Sequence, residues 1–364
     1  MAMSRPWWKI GVEPNAQHQP QPASFLKKEG GYSVAIIEYD DQGRCYDIAS
    51  PQHPTQLQLI RDELRSFEGR DAIIVVFIHG WKHNGKSSDE NLQEFCVAVQ
   101  ELAAQRIDNG VPILGIFVAW RGLSLYGLGL ENLTFWGRKQ AGLRVALGAP
   151  RELFGYLRQY RRKRLHEGGK PLLIMIGHSF GGLVTYSALA QSLVEAAATQ
   201  SGKLTPAFAD LVMLVNPAFE AERYLPINDI IRRDQGARLS TQQPPAFVSV
   251  TAHNDWATGL AFPIGEKLAP FHGRAIGREE QDALFHTMGH LAWLRTHELS
   301  VVDGSVVVSP TKVHANAPFW VAGATPEVID GHNRIWLKPF KEFVLSLLLE
   351  HVRTAERERG LGAK

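Results

Sequence analysis

The chain has 364 residues, 45% hydrophobic and 21% charged, the balance of a globular protein large enough to bury a core without metals or disulfides. Thirty-nine Lys and Arg against 37 Asp and Glu leave a formal net charge of +2, so the charge balance calls for no nucleic-acid partner. No stretch approaches the ~18 apolar residues of a membrane helix. Met1 to Phe25, interrupted by Pro6, Pro14, Pro20 and Pro22, lacks the apolar centre of a secretion signal. Cys45 and Cys96 fit two reduced thiols, and the expectation is a cytoplasmic protein.

Residues 1–31 are polar and Pro/Gln-rich and read as an extended arm, with Trp7 and Trp8 packed onto the domain that follows. Residues 32–364 read as that single domain. Tyr32–Tyr39 and Cys45–Ile48 flank Asp40-Asp41-Gln42-Gly43, which suggests a hairpin. Leu57, Ile60, Leu64 and Phe67 are spaced for one face of a helix over 54–67.

A repeating pattern follows. Continuous apolar runs at 72–78, 113–120, 172–176, 211–215 and 247–250 suit strands buried on both faces of a parallel sheet. Helical stretches at 88–106 and 180–198 alternate with them, and an amphipathic helix is expected over 338–355. Strands alternating with helices predict an α/β fold with a mostly parallel sheet and right-handed crossovers. Residues 121–166 are long for one crossover, and residues 253–318 do not fit the alternation.

The strongest motif is Gly177-His178-Ser179-Phe180-Gly181. This G-x-S-x-G pattern directly follows a buried strand and precedes a helix, as a nucleophile on a sharp strand-to-helix turn requires. Glycines on both sides remove side chains that would clash there. Earlier, the 72–78 strand ends in His79-Gly80-Trp81.

With these two segments, residues 70–350 resemble the α/β-hydrolase superfamily, in particular bacterial serine esterases and lipases. The resemblance implies an oxyanion hole built from the backbone N–H groups of Trp81 and Phe180, with His79 bracing the loop. It also implies an acid and then a histidine following the serine. Asp255, just past the 247–250 strand, is the expected acid, with Glu220 or Glu222 as rivals. Seven histidines lie far enough along the chain for the base: His272, His286, His290, His297, His314, His332 and His351. His332, in Gly331-His332-Asn333 ahead of the last helix, occupies the place where the family carries its histidine.

The expected reaction is hydrolysis of a small-molecule carboxylic ester with an apolar acyl or alcohol group, through an acyl-enzyme on Ser179. It needs neither metal nor organic cofactor. Ester rather than amide is what the resemblance implies. His286 and His290 are four apart, but Thr287 stands where a metalloprotease helix has glutamate. Leu123, Leu125, Tyr126, Leu128, Leu130, Leu133, Phe135 and Trp136 either form a cap over an acyl pocket or the buried face of a crossover helix, and the expected architecture is an α/β-hydrolase fold with a cap-like insertion over about 121–166. The basic run Arg158 to Arg164 reads as a solvated helix end. With the apolar segment it leaves open a phospholipase-like enzyme acting at a membrane surface. A catalytically silent hydrolase fold used for binding is the remaining alternative.

Overall fold

The computed structural model describes residues 25–29, 31–45, 54–67, 69–80, 83, 85, 88–105, 110–120, 135–198, 208–233, 243–261, 277–312 and 317–362. They fall into two compact units, 1–171 and 172–364. Both have the α/β architecture expected from the sequence, with mostly parallel strands flanked by helices. No helix among the described residues is long and apolar enough to cross a membrane, and none of these residues forms a disulfide.

The first unit holds strands β1 (Phe25–Glu29), β2 (Tyr32–Tyr39), β3 (Ile73–Ile78) and β4 (Ile113–Trp120), in the order β1-β2-β4-β3. β2, β3 and β4 are buried along their whole length, which explains their unbroken apolar sequences. β4 pairs in parallel with β2 and with β3. β1 pairs antiparallel with β2, so the end of the expected arm is an edge strand. Residues 1–24, with Trp7 and Trp8, lie outside the described residues. The expected hairpin after Tyr39 is present as one antiparallel bridge, Tyr39–Cys45, and residues 46–53 lie outside the described residues.

Helices α1 (Gln56–Ser66) and α2 (Glu90–Ala104) are N-capped by Thr55 and Asp89, whose side chains accept backbone N–H bonds. Leu57, Ile60 and Leu64 form the buried face of α1, as their spacing predicts. Within 121–166, residues 135–166 form the helix pair α3 (Phe135–Leu147) and α4 (Pro150–His166). Ala141, Val145, Leu153, Phe154 and Leu157 are buried there. Arg164 pairs with Asp71 at 3.1 Å and the Tyr160 hydroxyl donates to the Arg70 carbonyl, so α4 is fastened to the turn before β3. These two helices are thus packed within the first unit, and the leucine-rich 121–134 lies outside the described residues.

The second unit holds β5 (Leu172–His178), β6 (Leu211–Val215), β7 (Phe247–Ala252), β8 (His297–Val302), β9 (Ser305–Pro310) and β10 (Phe319–Ala324). Their order is β5-β6-β7-β10-β8-β9, parallel throughout except for the β8–β9 hairpin. Helix α5 (Phe180–Ala197) packs on β5 and β6, and α6 (Leu225–Arg233) packs on α5. α7 (Arg278–Phe285) and α8 (Lys338–Gly362) complete the unit. The hairpin lies in the stretch that did not fit the alternation. It turns on Asp303 and Gly304, both at positive φ (50° and 78°), the conformation that a two-residue Asp-Gly turn requires. The parallel register places the carboxyl ends of β5, β6, β7 and β10 along one edge, where open α/β sheets carry their ligands and reacting groups.

In the first unit, the His79 ring is fully buried and joins the ends of β3 and β4. Its Nδ1 donates to the Gly80 carbonyl (2.7 Å), its Nε2 accepts from the Trp120 amide (3.0 Å), and its own carbonyl accepts from the Trp120 indole (2.9 Å). It stacks between Phe117 and Trp120. Burial pulls the imidazole down to about 4, so it serves as a neutral brace. A histidine held neutral below its unfolded value destabilises as pH falls from 6.5 towards 4, where only the unfolded chain takes up the proton. Unfolding free energy should therefore fall over that window, and denaturant titrations should show a shallower fall in His79→Phe.

Candidate active site

Ser179 closes β5 and opens α5. Its backbone stands at φ 56°, ψ −121°, a sparsely populated conformation for a residue with a side chain that costs about 1–3 kcal/mol. The surroundings hold it there. The Ser179 amide donates to the Val215 carbonyl (3.0 Å), and its carbonyl accepts from Gly182 (3.0 Å), Ala218 (3.2 Å) and Leu183 (3.3 Å). The flanking glycine is a steric requirement: a Cβ on Gly177 would lie 2.4 Å from the Thr185 hydroxyl and 2.6 Å from the Gly181 carbonyl oxygen.

The Ser179 Oγ lies 2.7 Å from Nε2 of His332. Nδ1 of the same ring lies 2.9 Å and 3.0 Å from the two carboxylate oxygens of Asp255. Burial opposes the charge on Asp255, but bonds from His332, from the Thr258 hydroxyl and from the Thr258 amide outweigh it and hold the carboxyl below its ordinary value. An ionised carboxylate only accepts. Nδ1 of His332 therefore donates to Asp255, and in the neutral ring Nε2 can accept from the Ser179 hydroxyl. Asp255 is buried, whereas the His332 side chain is 18% exposed.

Each of these side chains follows a different strand: Ser179 after β5, Asp255 after β7 and His332 after β10. The loop carrying His332 is held by its backbone. The Asn216 side-chain amide donates to the carbonyls of Gly331 (3.0 Å) and His332 (2.9 Å), while its Oδ1 accepts from the Ala252 amide (2.9 Å). Nε2 of His178 donates to the same His332 carbonyl (2.9 Å), and Asn254 Oδ1 accepts from the Gly331 amide (2.8 Å). Asn216 is itself at φ 45°, which asparagine tolerates better than most residues.

The structure thus brings Ser179, Asp255 and His332 together. The rival acid Glu220 pairs with Arg223 at 3.2 Å, and Glu222 lies in the short turn Ala221–Tyr224. Among the other histidines, His286 bonds the Asp282 carbonyl, His297 stacks on Trp320 and His351 bonds the Pro245 carbonyl. His272 and His314 lie outside the described residues. Of the expected oxyanion donors, Phe180 is the first residue of α5 and buried, and Trp81 lies outside the described residues. His286 and His290 turn to different partners, His290 to the Thr258 hydroxyl. Sequence reasoning passed over Thr258, Asn216, Asn254 and His178. The signal available for them was their position at or just past the carboxyl ends of β5, β6 and β7.

No protein-family model matches this chain and no curated protein matches it. Among solved structures, it is similar to phospholipase PlaB from Legionella pneumophila in complex with thio-NAD, at 13% identity and a TM-score of 0.35. That match covers 79% of this chain and 61% of the phospholipase, so the chain spans less than two thirds of that protein. It is also similar to a YdeN-like hydrolase from Pectobacterium atrosepticum, at 20% identity and a TM-score of 0.19, over 55% of this chain and 71% of the other. Likenesses this loose carry no functional argument, and the reading of the site rests on its own side chains.

The grip on the His332 loop is testable. Asn216→Ala strands the buried Ala252 amide and the Gly331 carbonyl and leaves the His332 carbonyl with His178 alone, and should cost roughly 1–3 kcal/mol of stability. Urea titration of the variant against wild type would show it as a lower midpoint with an unchanged slope.

Proposed function

We propose that this protein is a serine hydrolase that cleaves carboxylic esters through an acyl-enzyme on Ser179. The observation that carries the reading is the hydrogen-bonded line Ser179–His332–Asp255, with the serine held in a strained turn at the head of α5. His332 Nε2 takes the hydroxyl proton as Ser179 Oγ attacks the ester carbonyl, and returns it to the departing alkoxide. Water then enters by the same route and releases the acid. Asp255 keeps the histidine in the Nδ1–H tautomer and stabilises the imidazolium as it forms. The amide of Phe180, joined by that of Trp81, is proposed to receive the developing oxyanion. The apolar residues from Leu123 to Trp136 are the chain's candidates for covering an acyl group.

Wild-type protein should hydrolyse p-nitrophenyl esters and take up a fluorophosphonate label on Ser179. Ser179→Ala should lose the label and reduce kcat by roughly 10⁴-fold or more. Asp255→Asn presents His332 with the wrong tautomer and should cost about 10⁴ in kcat, with KM little changed. Activity equal in wild type and Ser179→Ala would remove Ser179 from the mechanism. A protein that neither turns over nor labels would be a binding protein on a hydrolase scaffold. A rate that jumps when the ester passes from monomer to micelle assigns a lipid surface as the substrate; a rate that follows monomer concentration assigns a soluble ester.

A further inference from the structure

Asp255 carries a second hydrogen-bonded arm besides His332. The Thr258 Oγ1 lies 2.5 Å from Asp255 Oδ2 and 2.9 Å from Nε2 of His290. A threonine hydroxyl has one proton. The ionised carboxylate can only accept, so that proton points at Asp255. The hydroxyl oxygen must then accept from His290, which fixes His290 as the Nε2–H tautomer. A separation of 2.5 Å is at the short, strong end for a hydroxyl donating to a carboxylate.

The arm is built into the fold. Thr258 and Asp255 are both buried, and the amides of Ala257 (3.0 Å) and Thr258 (3.1 Å) donate to the other oxygen, Oδ1. His290 ends the short turn Met288–His290 beside β7. Its ring fits because residue 259 is glycine: a Cβ there would stand 3.0 Å from His290 Cε1 and 3.3 Å from Nε2. The charged and titratable groups around His290 are Asp255, His286, Arg295 and His253, and burial leaves the imidazole below its ordinary value. A neutral ring is what the proton count requires.

We infer that Thr258 and His290 are positioning residues for hydrolysis: by sharing Oδ2 of Asp255 with His332, they set how strongly that carboxylate pulls on the His332 ring, and so its basicity. This rests on the reading of Ser179, His332 and Asp255 as the catalytic triad. Without the threonine hydroxyl, the negative charge of Asp255 falls more fully on His332. The imidazolium is then better stabilised, and a higher pH is needed to free Nε2 as the base.

The test is the pH profile of kcat/KM on p-nitrophenyl butyrate. Thr258→Val should move the ascending limb up by about 0.5–1 pH unit, with KM within about twofold of wild type, because no substrate-binding group has changed. Thr258→Ser should return the limb to its wild-type position, and His290→Leu should move it in the same direction by less. A folded Thr258→Val protein whose limb stays put, or a Thr258→Ser protein that fails to restore it, overturns the inference. Should Thr258→Val not fold, ¹⁵N histidine NMR of the wild-type protein decides, with the His290 signals identified by their loss in His290→Gln. The Nε2–H tautomer supports the arm and the Nδ1–H tautomer overturns it. Fluorophosphonate labelling of the same preparation separates the two levels: an unlabelled wild type removes the triad reading itself, whereas a labelled protein with an unmoved Thr258→Val limb removes only the second arm.

Discussion

The strained backbone of Ser179 is the constraint around which the second unit is organised. A serine at φ 56°, ψ −121° relaxes unless its neighbours over-determine the turn. Four backbone hydrogen bonds tie its amide and carbonyl to β6, to the residues after β6 and to the first turn of α5. The two that reach Val215 and Ala218 depend on the parallel, in-register pairing of β5 and β6, His178 opposite Val215. Gly177 and Gly182 let α5 approach, the latter against Pro217. The apolar strands therefore do more than fill a core, since their pairing keeps a hydroxyl in a conformation that the local chain disfavours.

The same logic extends to the histidine. Nothing local in Asp330–Asn333 dictates where the His332 ring points. Its placement comes from partners 77 to 154 residues away in sequence: Asn254, Asp255, Asn216 and His178. Asn216 is the joint between the two requirements. One end of its amide secures the β7 backbone at Ala252, and the other secures the carbonyls of the loop that carries His332. Loss of register between β6 and β7 would move Asp255 and His332 together.

What was legible in the sequence follows from this division. β3 to β7 are continuous apolar runs because both faces are buried, and such runs are visible without neighbours. The G-x-S-x-G turn was legible for a related reason, since its glycines are demanded by contacts within a few residues of Ser179. β1 was missed because its place is set by pairing with β2 rather than by its own polar composition. The β8–β9 hairpin is half exposed and its apolar runs, Val301-Val302 and Val306-Val307-Val308, are short; its turn signal, Asp303-Gly304, sits inside a region that does not fit the strand–helix alternation. His332 was one of seven candidates by sequence alone, and only the resemblance separated it from the others. Thr258 and His290 were harder still: a hydroxyl three residues past an acid and a histidine 32 residues further on have no shared pattern until the chain folds.

Electrostatics separates the residues that hold the fold from those that hold charge. His79, His290 and His297 are all pulled below their ordinary values, with burial as the first cause. Each is made a neutral ring that can donate from one nitrogen and accept on the other, which suits a buried bridge between backbone or hydroxyl groups. Asp255 is buried too, yet stays ionised because two amides, a hydroxyl and an imidazole converge on its oxygens. A buried charge persists where its donors are fixed in advance. Those donors come from the turn after β7 and from the loop after β10. The ionisation of Asp255 is thus a property of two segments held together, and neither of them supplies it alone.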